Sequence, residues 1–297
     1  MRQNPYLLLI RPANLITSAT DIAAGAAIAS LLAEATAEPY IQHIGSLIIL
    51  ILSSVLLYAG GIALNDVFDA ELDQRERPER PIPSGKISVR QAGIFALVLL
   101  AGGVILAFGH STMSGLLATG IAAFSAIYNK REKHHSFGGP AVMGFIRGLN
   151  LLLGRSIDPS LVTANFALML FPIVYIFAIT MISRGEVHGG GKNTLRLALV
   201  MFLAVDIGIL LFGVSRGFRF ISVIFAVLHL WFVLPPLRTA IRNPVGPRIG
   251  NAVKHGVLGM ILLDALWVSL TPQWAWAAGL VLLLPVSQKL AAYFAVT

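Results

Sequence analysis

The sequence predicts an all-α fold, a polytopic helical bundle that lies in a membrane. The chain of 297 residues is 56% hydrophobic and only 12% charged, and its mean hydropathy of +0.79 is too high for a soluble domain. Apolar segments of about 20 residues, enough to cross a bilayer, follow one another along the chain, and most charged residues lie between them. We therefore expect one integral-membrane domain over residues 1–297.

Ten apolar segments account for these elements, so we expect nine to ten transmembrane helices. In chain order they lie near 13–33, 43–65, 90–108, 112–128, 138–154, 161–182, 194–214, 218–236, 252–270 and 274–293. The chain contains no cysteine, which excludes disulfides and Cys-ligated zinc or iron–sulfur centres. Any metal chemistry must then use oxygen or nitrogen ligands.

The basic residues alternate between the two sides of the predicted bundle. The N-terminus and the loops near 66–90, 129–137, 183–196 and 237–254 hold 17 of the 22 Lys and Arg, while the alternate loops hold three. Because positive charge is retained on the cytoplasmic side, we expect the N-terminus and these four loops to be cytoplasmic. The net charge of +8 suggests membrane lipid headgroups or an anionic substrate as partners, and no nucleic acid.

The first basic loop also contains a cluster of acids. Asp66, Asp69 and Asp73 are spaced i, i+3 and i+7, so on a helix that continues out of the second span they share one face with Asn65. Carboxylates on one stripe repel each other unless a cation lies among them, and Mg²⁺ suits such a site because it takes oxygen ligands and phosphate oxygens. The alternative is a solvated helix end whose acids pair with nearby arginines.

The residues that follow the acids favour a diphosphate site. The stretch ERPERPIPSGKIS contains three prolines and a glycine, so the chain leaves the helix and turns back. This turn brings Arg77, Arg80 and Lys86 toward the carboxylates. Acids for a metal and cations for phosphate oxygens then share one loop.

Residues 65–88, NDVFDAELDQRERPERPIPSGKIS, resemble the first aspartate motif of the UbiA superfamily of intramembrane prenyltransferases, N-D-x-x-D-x-x-x-D followed by R-P-I-P-S-G. The resemblance implies a bundle of nine spans and two cytoplasmic loops that bind Mg²⁺ and an isoprenyl diphosphate. It also implies transfer of the prenyl group to a lipophilic, usually aromatic, acceptor. Within IYNKREK, it implies that Lys130 and Arg131 lie near the diphosphate.

The second loop departs from the family pattern. Matching GGKNT to the Gly-x-Lys-Ser-Thr that follows the second motif of such enzymes places Ile182 and Glu186 where two aspartates are usual, and a register one residue later would place Ser183 there instead of Ile182. One acid is thus kept as Glu and the other is lost, although Ser183 or His188 could assist, and Lys192 could reach a phosphate oxygen. The pattern also resembles a divergent UbiA-like branch, such as the EboC-type proteins.

Four ionisable residues fall within predicted spans, where such groups usually face the bundle interior. They are Asp21, Arg147, Asp206 and Asp264. For Arg147 the functional interpretation is a cation that faces the diphosphate or a buried acid. For the three acids we favour structural hydrogen bonds or ion pairs.

These observations predict an Mg²⁺-dependent prenyltransferase. Asp66 and Asp69, with Asp73 and Glu186, are the expected metal ligands, and the expected substrate-binding residues are Asn65, Arg77, Arg80, Lys130, Arg131, Arg147 and Lys192. The alternatives are a catalytically weakened family member that binds or transports an isoprenoid or lipophilic metabolite, and an unrelated cation-coupled transporter. The transporter is disfavoured because the acids cluster at a membrane face rather than near the midplane.

Overall fold

The computed structural model describes residues 4–33, 43–130, 135–187, 189–216 and 220–294, and no strand occurs in these ranges. The helices are α1 Pro5–Ile10, α2 Pro12–Leu32, α3 Ile44–Phe68, α4 Ala70–Glu76, α5 Val89–His110, α6 Thr112–Lys130, α7 Gly138–Arg155, α8 Leu170–Ser183, α9 Lys192–Val214, α10 Ile221–Arg242, α11 Gly246–Ser269, α12 Trp274–Val281 and α13 Leu283–Tyr293. The predicted all-α fold class is confirmed.

Eight segments of the described chain are helical, long and apolar enough to cross a membrane. The predicted spans near 112–128 and 138–154 are also helical, as α6 and α7, but they are less apolar than these eight. The predicted sixth span begins later than expected, at Phe166, and the last one is divided between α12 and α13. Every predicted span is therefore helical, and the chain has the character of an integral membrane protein.

Two buried clusters of apolar side chains form the core. One lies mainly among α3, α5, α6 and α7, and the other mainly among α8, α9, α10 and α11. Between them α2 packs closely on α7, because Gly25 and Gly154 have no side chain at the contact. A Cβ atom added to Gly25 would lie only 2.3 Å from the carbonyl oxygen of Leu151, and one added to Gly154 only 2.6 Å from that of Ile22. Small residues permit this approach in membrane bundles, and it places Asp21 of α2 beside Arg147 and Asn150 of α7.

The first acidic loop is largely helical. After α3 the single residue Asp69 interrupts the helix, yet the amide of Asp73 still donates to the Asp69 carbonyl, at 2.8 Å, and the helix resumes as α4. The chain then turns back through RPIPSGK, where Gly85 adopts a positive φ of 72°, before Ser88 caps α5 with a capping box. The turn returns Arg80 to the carboxylates, as the prolines predicted.

Candidate functional site

A cavity of about 500 Å³ lies between α2, α3, α6, α7, α8 and α11. One face of α3, together with the residue that ends this helix, supplies much of the wall, through Ser54, Tyr58, Gly61 and Asn65 and then Asp69. These positions recur every three or four residues and so form one stripe along the helix. The cavity therefore runs from the acidic loop, which we call the mouth, into the bundle.

Both candidate loops contribute to the mouth. Asp69 and Arg77 come from the first loop, and Ser183, Arg184 and Glu186 come from the end of α8 and the loop that follows. The prediction that the two loops lie at the same end of the bundle is supported by this arrangement. Which side of the membrane they occupy stays a prediction.

Asp66 and Asp73 are held by arginines. Arg80 lies 2.8 Å from Asp73 and 3.4 Å from Asp66, and the Nη2 atom of Arg11 lies 2.8 Å from the same oxygen of Asp66. Both carboxylates are buried and lie outside the cavity lining. The alternative interpretation expected pairing with Arg80, but at a solvated helix end, whereas these carboxylates are buried and one of their partners, Arg11, comes from another part of the chain.

The convergence of three carboxylates is therefore not seen. Among the described residues no three Asp, Glu or His side chains lie close enough together to hold a metal ion. The reason is the charge of Arg80 and Arg11, which attracts Asp66 and Asp73, while Asp69 at the break between α3 and α4 lines the cavity.

Arg11 and Arg184 are cavity residues that the sequence analysis treated only as part of the topology signal. Arg11 lies between α1 and α2 in a left-handed conformation with a φ of 45°, which turns the chain just before Pro12. Burial lowers the pKa of the Arg11 guanidinium, and the adjacent Asp66 opposes that shift. The signal that could have identified both residues is their position immediately beside a predicted span and, for Arg184, beside Glu186.

The other predicted substrate-binding residues divide into two groups. Asn65 lines the cavity and donates to the Oδ1 atom of Asn129, at 2.9 Å. Lys130 and Lys192 are exposed and lie outside the cavity lining, because Lys130 ends α6 and Lys192 begins α9. Arg131 and His188 lie outside the described residues.

The structure corrects the register of the second motif. Ile182 is only 2% exposed and belongs to the apolar core, so an acid at that position would not face the cavity. The next residue, Ser183, lines the cavity together with Glu186. Of the two registers, the one that places Ser183 beside Glu186 is therefore the one in which a carboxylate would face the cavity.

Arg147 lines the inner part of the cavity and pairs with a buried acid. Its Nε atom lies 2.5 Å from Oδ2 of Asp21, and its Nη2 atom donates to the carbonyl of Thr17, at 2.6 Å. Asn150 donates to the same oxygen of Asp21, at 2.8 Å, and Ser54 donates to Asn150, at 2.7 Å. The second of the two functions considered for Arg147, contact with a buried acid, is the one observed.

The remaining acids within spans have partners in the described part of the chain. Asp264 accepts a hydrogen bond from Thr20, at 2.6 Å. Asp206 lies 2.9 Å from Nδ1 of His229, whose Nε2 atom is 3.0 Å from the Tyr175 hydroxyl. None of these lines the cavity, so their contacts agree with the structural interpretation.

Comparison with known proteins gives concordant results. The model of the UbiA prenyltransferase family matches residues 23–242. The chain is 33% identical to the digeranylgeranylglyceryl phosphate synthase of Ignicoccus hospitalis, over 62% of this chain and 57% of that protein. It is 32% identical to the synthase of the same name from Sulfolobus acidocaldarius, over 67% of this chain and 70% of that protein. In several such matches the chain spans only about half the length of the relative.

Solved structures share the fold at lower sequence identity. A UbiA homolog from Archaeoglobus fulgidus bound to DMAPP and Mg²⁺ has a TM-score of 0.65 at 15% identity, over 90% of this chain and 99% of that chain. A UbiA homolog from Aeropyrum pernix K1 has a TM-score of 0.66 at 15% identity, over 85% of this chain and 96% of that chain.

Proposed function

The chain belongs to the UbiA prenyltransferase family, and we propose that it transfers a prenyl group from an isoprenyl diphosphate to a lipophilic acceptor within the membrane, with Mg²⁺ as cofactor. The observation that carries the proposal is the mouth of the cavity. Carboxylates from two separate loops, Asp69 and Glu186, line it together with arginines, above walls formed by apolar side chains. Such a site suits a diphosphate at one end and a hydrocarbon chain at the other.

The residues at the mouth fit a magnesium ion that binds together with a diphosphate. Magnesium is usually held by one or two carboxylates and by substrate phosphates, and Asp69 and Glu186 supply this donor set. The charged residues of the lining and the ion pairs behind it are equal in number, four arginines and four carboxylates: Arg11, Arg77, Arg80, Arg184, Asp66, Asp69, Asp73 and Glu186. A diphosphate adds negative charge that these residues leave uncompensated, so a divalent cation is needed with it. Bound there, magnesium supplies positive charge to the departing diphosphate.

The protein's own residues would do the rest. Arg11, Arg77 and Arg184 line the mouth, where guanidinium groups bind phosphate oxygens and stabilise the negative charge of the leaving group. Below them Ile62, Ile146 and other apolar side chains line the cavity. Such walls exclude water, so that the acceptor rather than water reacts with the prenyl group.

The finer assignments in this proposal are as follows. The acceptor is lipophilic, and on the family resemblance an aromatic compound is the first to test. Asp66 and Asp73 join the metal site if a bound metal and diphosphate draw Arg80 and Arg11 away from them. The mouth and the N-terminus face the cytoplasm, as the distribution of basic residues indicates.

A second candidate function is binding or transport of an isoprenoid without efficient transfer. The observation that favours it is Ser183, which stands in the cavity where a second carboxylate would complete the loop. With Glu186 as its only acid, this loop would hold a metal less firmly. Turnover distinguishes the two functions, because only a transferase releases diphosphate.

The proposal is tested by binding of geranylgeranyl diphosphate to the purified full-length chain in nanodiscs, with Mg²⁺ or with EDTA. We expect binding only with Mg²⁺, and we expect Asp69→Asn to abolish it. Asp158→Asn is the matched control, because Asp158 is an exposed acid that only caps a short turn through Ser160. Binding that is equal with EDTA, or equal loss in both variants, would contradict the metal site.

A further inference from the structure

The second loop rests on the start of α11. The amide of Gly190 donates to the carbonyl of Pro244, at 3.2 Å, and Gly246, the first residue of α11, has no side chain where Glu186 approaches it. A Cβ atom added to Gly246 would lie only 2.3 Å from the carbonyl oxygen of Glu186, closer than a real Cβ atom approaches another heavy atom. The backbone of Glu186 therefore lies directly against the helix.

The side chain of Glu186 reaches the same face of α11. Gly250 follows Gly246 by four residues, so the two glycines are neighbours on one face of the helix. A Cβ atom added to Gly250 would lie 4.0 Å from the Cγ atom of Glu186, an ordinary van der Waals distance. Farther along this face Val253 and Val257 line the cavity. The bare start of α11 is thus continuous with the cavity wall, and Glu186 lies where the two meet.

The backbone conformation does not require glycine at either position. In the described part of the chain the glycines with a positive φ are Gly85 and Gly189, so Gly246 and Gly250 have conformations that other residues also adopt. Gly250 lies inside a helix, where glycine is less favourable than alanine. What the structure uses at both positions is the absence of a side chain.

We propose that Gly246 and Gly250 are positioning residues for Glu186. By leaving this face of α11 bare, they allow the loop to pack on the helix and Glu186 to line the mouth that Asp69 also lines. The inference rests on the proposed function, in which these two acids hold the metal ion. Because packing fixes the position of Glu186 before the metal arrives, less conformational freedom is lost on binding, which favours metal binding by a loop with one acid on the lining.

Gly250→Leu tests the proposal, because helix propensity and positioning predict opposite changes. Leucine is a better helix former than glycine, so the melting temperature should stay equal or rise. The leucine side chain would point back toward the N-terminus of α11, into the space over Gly246 that Glu186 occupies. Mg²⁺ is titrated calorimetrically into the full-length protein in nanodiscs with the unreactive analogue geranylgeranyl thiolodiphosphate. We expect binding at least about tenfold weaker than in the wild type, the factor that one charge-assisted contact contributes.

Gly93→Leu is the matched control. Gly93 is the fifth residue of α5, as Gly250 is of α11, and both are half-buried. Nothing lies within 4 Å of a Cβ atom added to Gly93, and this residue is outside the cavity lining. We expect the control to keep the Mg²⁺ affinity of the wild type. A tenfold loss in both variants, or in neither, would overturn the proposal.

Gly246→Ala gives a second variant at the closer contact. Its Cβ atom would force the Glu186 carbonyl to move, so we expect a lower melting temperature together with Mg²⁺ binding at least about tenfold weaker. A folded Gly246→Ala protein with unchanged Mg²⁺ affinity would also overturn the proposal.

Glu186→Gln shows whether the glycines act through Glu186. Loss of this charge should itself weaken Mg²⁺ binding, and adding Gly250→Leu to that variant should cause no further loss, because the side chain that leucine displaces no longer contributes. Losses that multiply would mean that Gly250 acts elsewhere, which would refute the assignment. If the wild-type protein binds no Mg²⁺ with the thiolodiphosphate, the proposed function and this inference both fail, whereas equal binding by the wild type and Gly250→Leu refutes the positioning role alone.

Discussion

The two loops at the mouth differ in how their charges are arranged. In the first loop Arg80 joins Asp66 and Asp73, and Arg11 reaches Asp66 from the start of α2. In the second loop Glu186 is the cavity acid, Ser183 replaces a second acid, and Arg184 stands between them. The first loop thus has an ion-pair network around Asp66 and Asp73 and a separate acid, Asp69, on the cavity lining, whereas the second loop has Glu186 as its one acid on that lining.

This difference indicates different tasks for the two loops. Ion pairs between α2, α3 and the turn at Arg80 fix the position of the first loop before any substrate arrives, so it can serve as the rigid side of the site. Arg184 gives the second loop a positive charge of its own, which can face a diphosphate where a carboxylate would need a metal ion. Single substitutions in the two loops can test this division.

Ile182→Asp should have the largest effect, on stability. Ile182 is 2% exposed in the apolar core, and an unpaired carboxylate buried there should lower the free energy of unfolding by about 3 kcal/mol or more. Thermal unfolding in detergent measures the loss. A stable variant with higher Mg²⁺ affinity would show instead that position 182 faces the cavity, as the sequence match placed it.

Asp66→Asn should destabilise the protein without directly removing a cavity residue. The change leaves the Arg11 guanidinium, whose side chain is only 12% exposed, without its carboxylate at 2.8 Å, and breaking such a pair should lower the free energy of unfolding by about 3 kcal/mol. Asp69→Asn is the comparison, because it should remove Mg²⁺-dependent diphosphate binding with little change in melting temperature. If Asp66→Asn melts like the wild type, the network does not hold the first loop in place.

Ser183→Asp should strengthen the second loop as a metal site. Ser183 lines the cavity with Glu186, so a new carboxylate there can contact the same cation, and one charge-assisted contact contributes about 1.5–3 kcal/mol. We expect Mg²⁺ affinity in the presence of geranylgeranyl thiolodiphosphate to rise at least about tenfold, measured by calorimetry. Ser160→Asp, at an exposed position on another loop, controls for added charge, and equal gains in both variants would contradict a local contact.

Particular residues show how far the sequence could predict this molecule. The ten apolar segments correspond to helices because span length is set by the bilayer, and the return of Arg80 follows from the prolines after α4. The partners of Asp66 could not be predicted, because Arg11 is 55 residues away along the chain. The sequence also could not predict whether Ile182 or Ser183 faces the cavity. Adjacent helical residues point about 100° apart, and a sequence match in the following loop does not determine how α8 is rotated about its axis.

Lys192→Ala should have the smallest effect. Lys192 is the first residue of α9, exposed and outside the cavity lining, so its charge can act on a diphosphate only through solvent, where it is screened. A cation at a helix N-terminus is also mildly unfavourable, by about 0.3–1 kcal/mol, and its removal should leave stability equal or slightly higher. We expect the Mg²⁺-dependent affinity for geranylgeranyl diphosphate to change by less than about twofold, a difference of under about 0.5 kcal/mol.

Arg184→Ala is the matched comparison, since it removes a cavity cation from the same loop and should weaken binding about tenfold. A tenfold loss in Lys192→Ala would mean that α9 moves toward the mouth when the diphosphate binds, and the division between the two loops would then have to include Lys192.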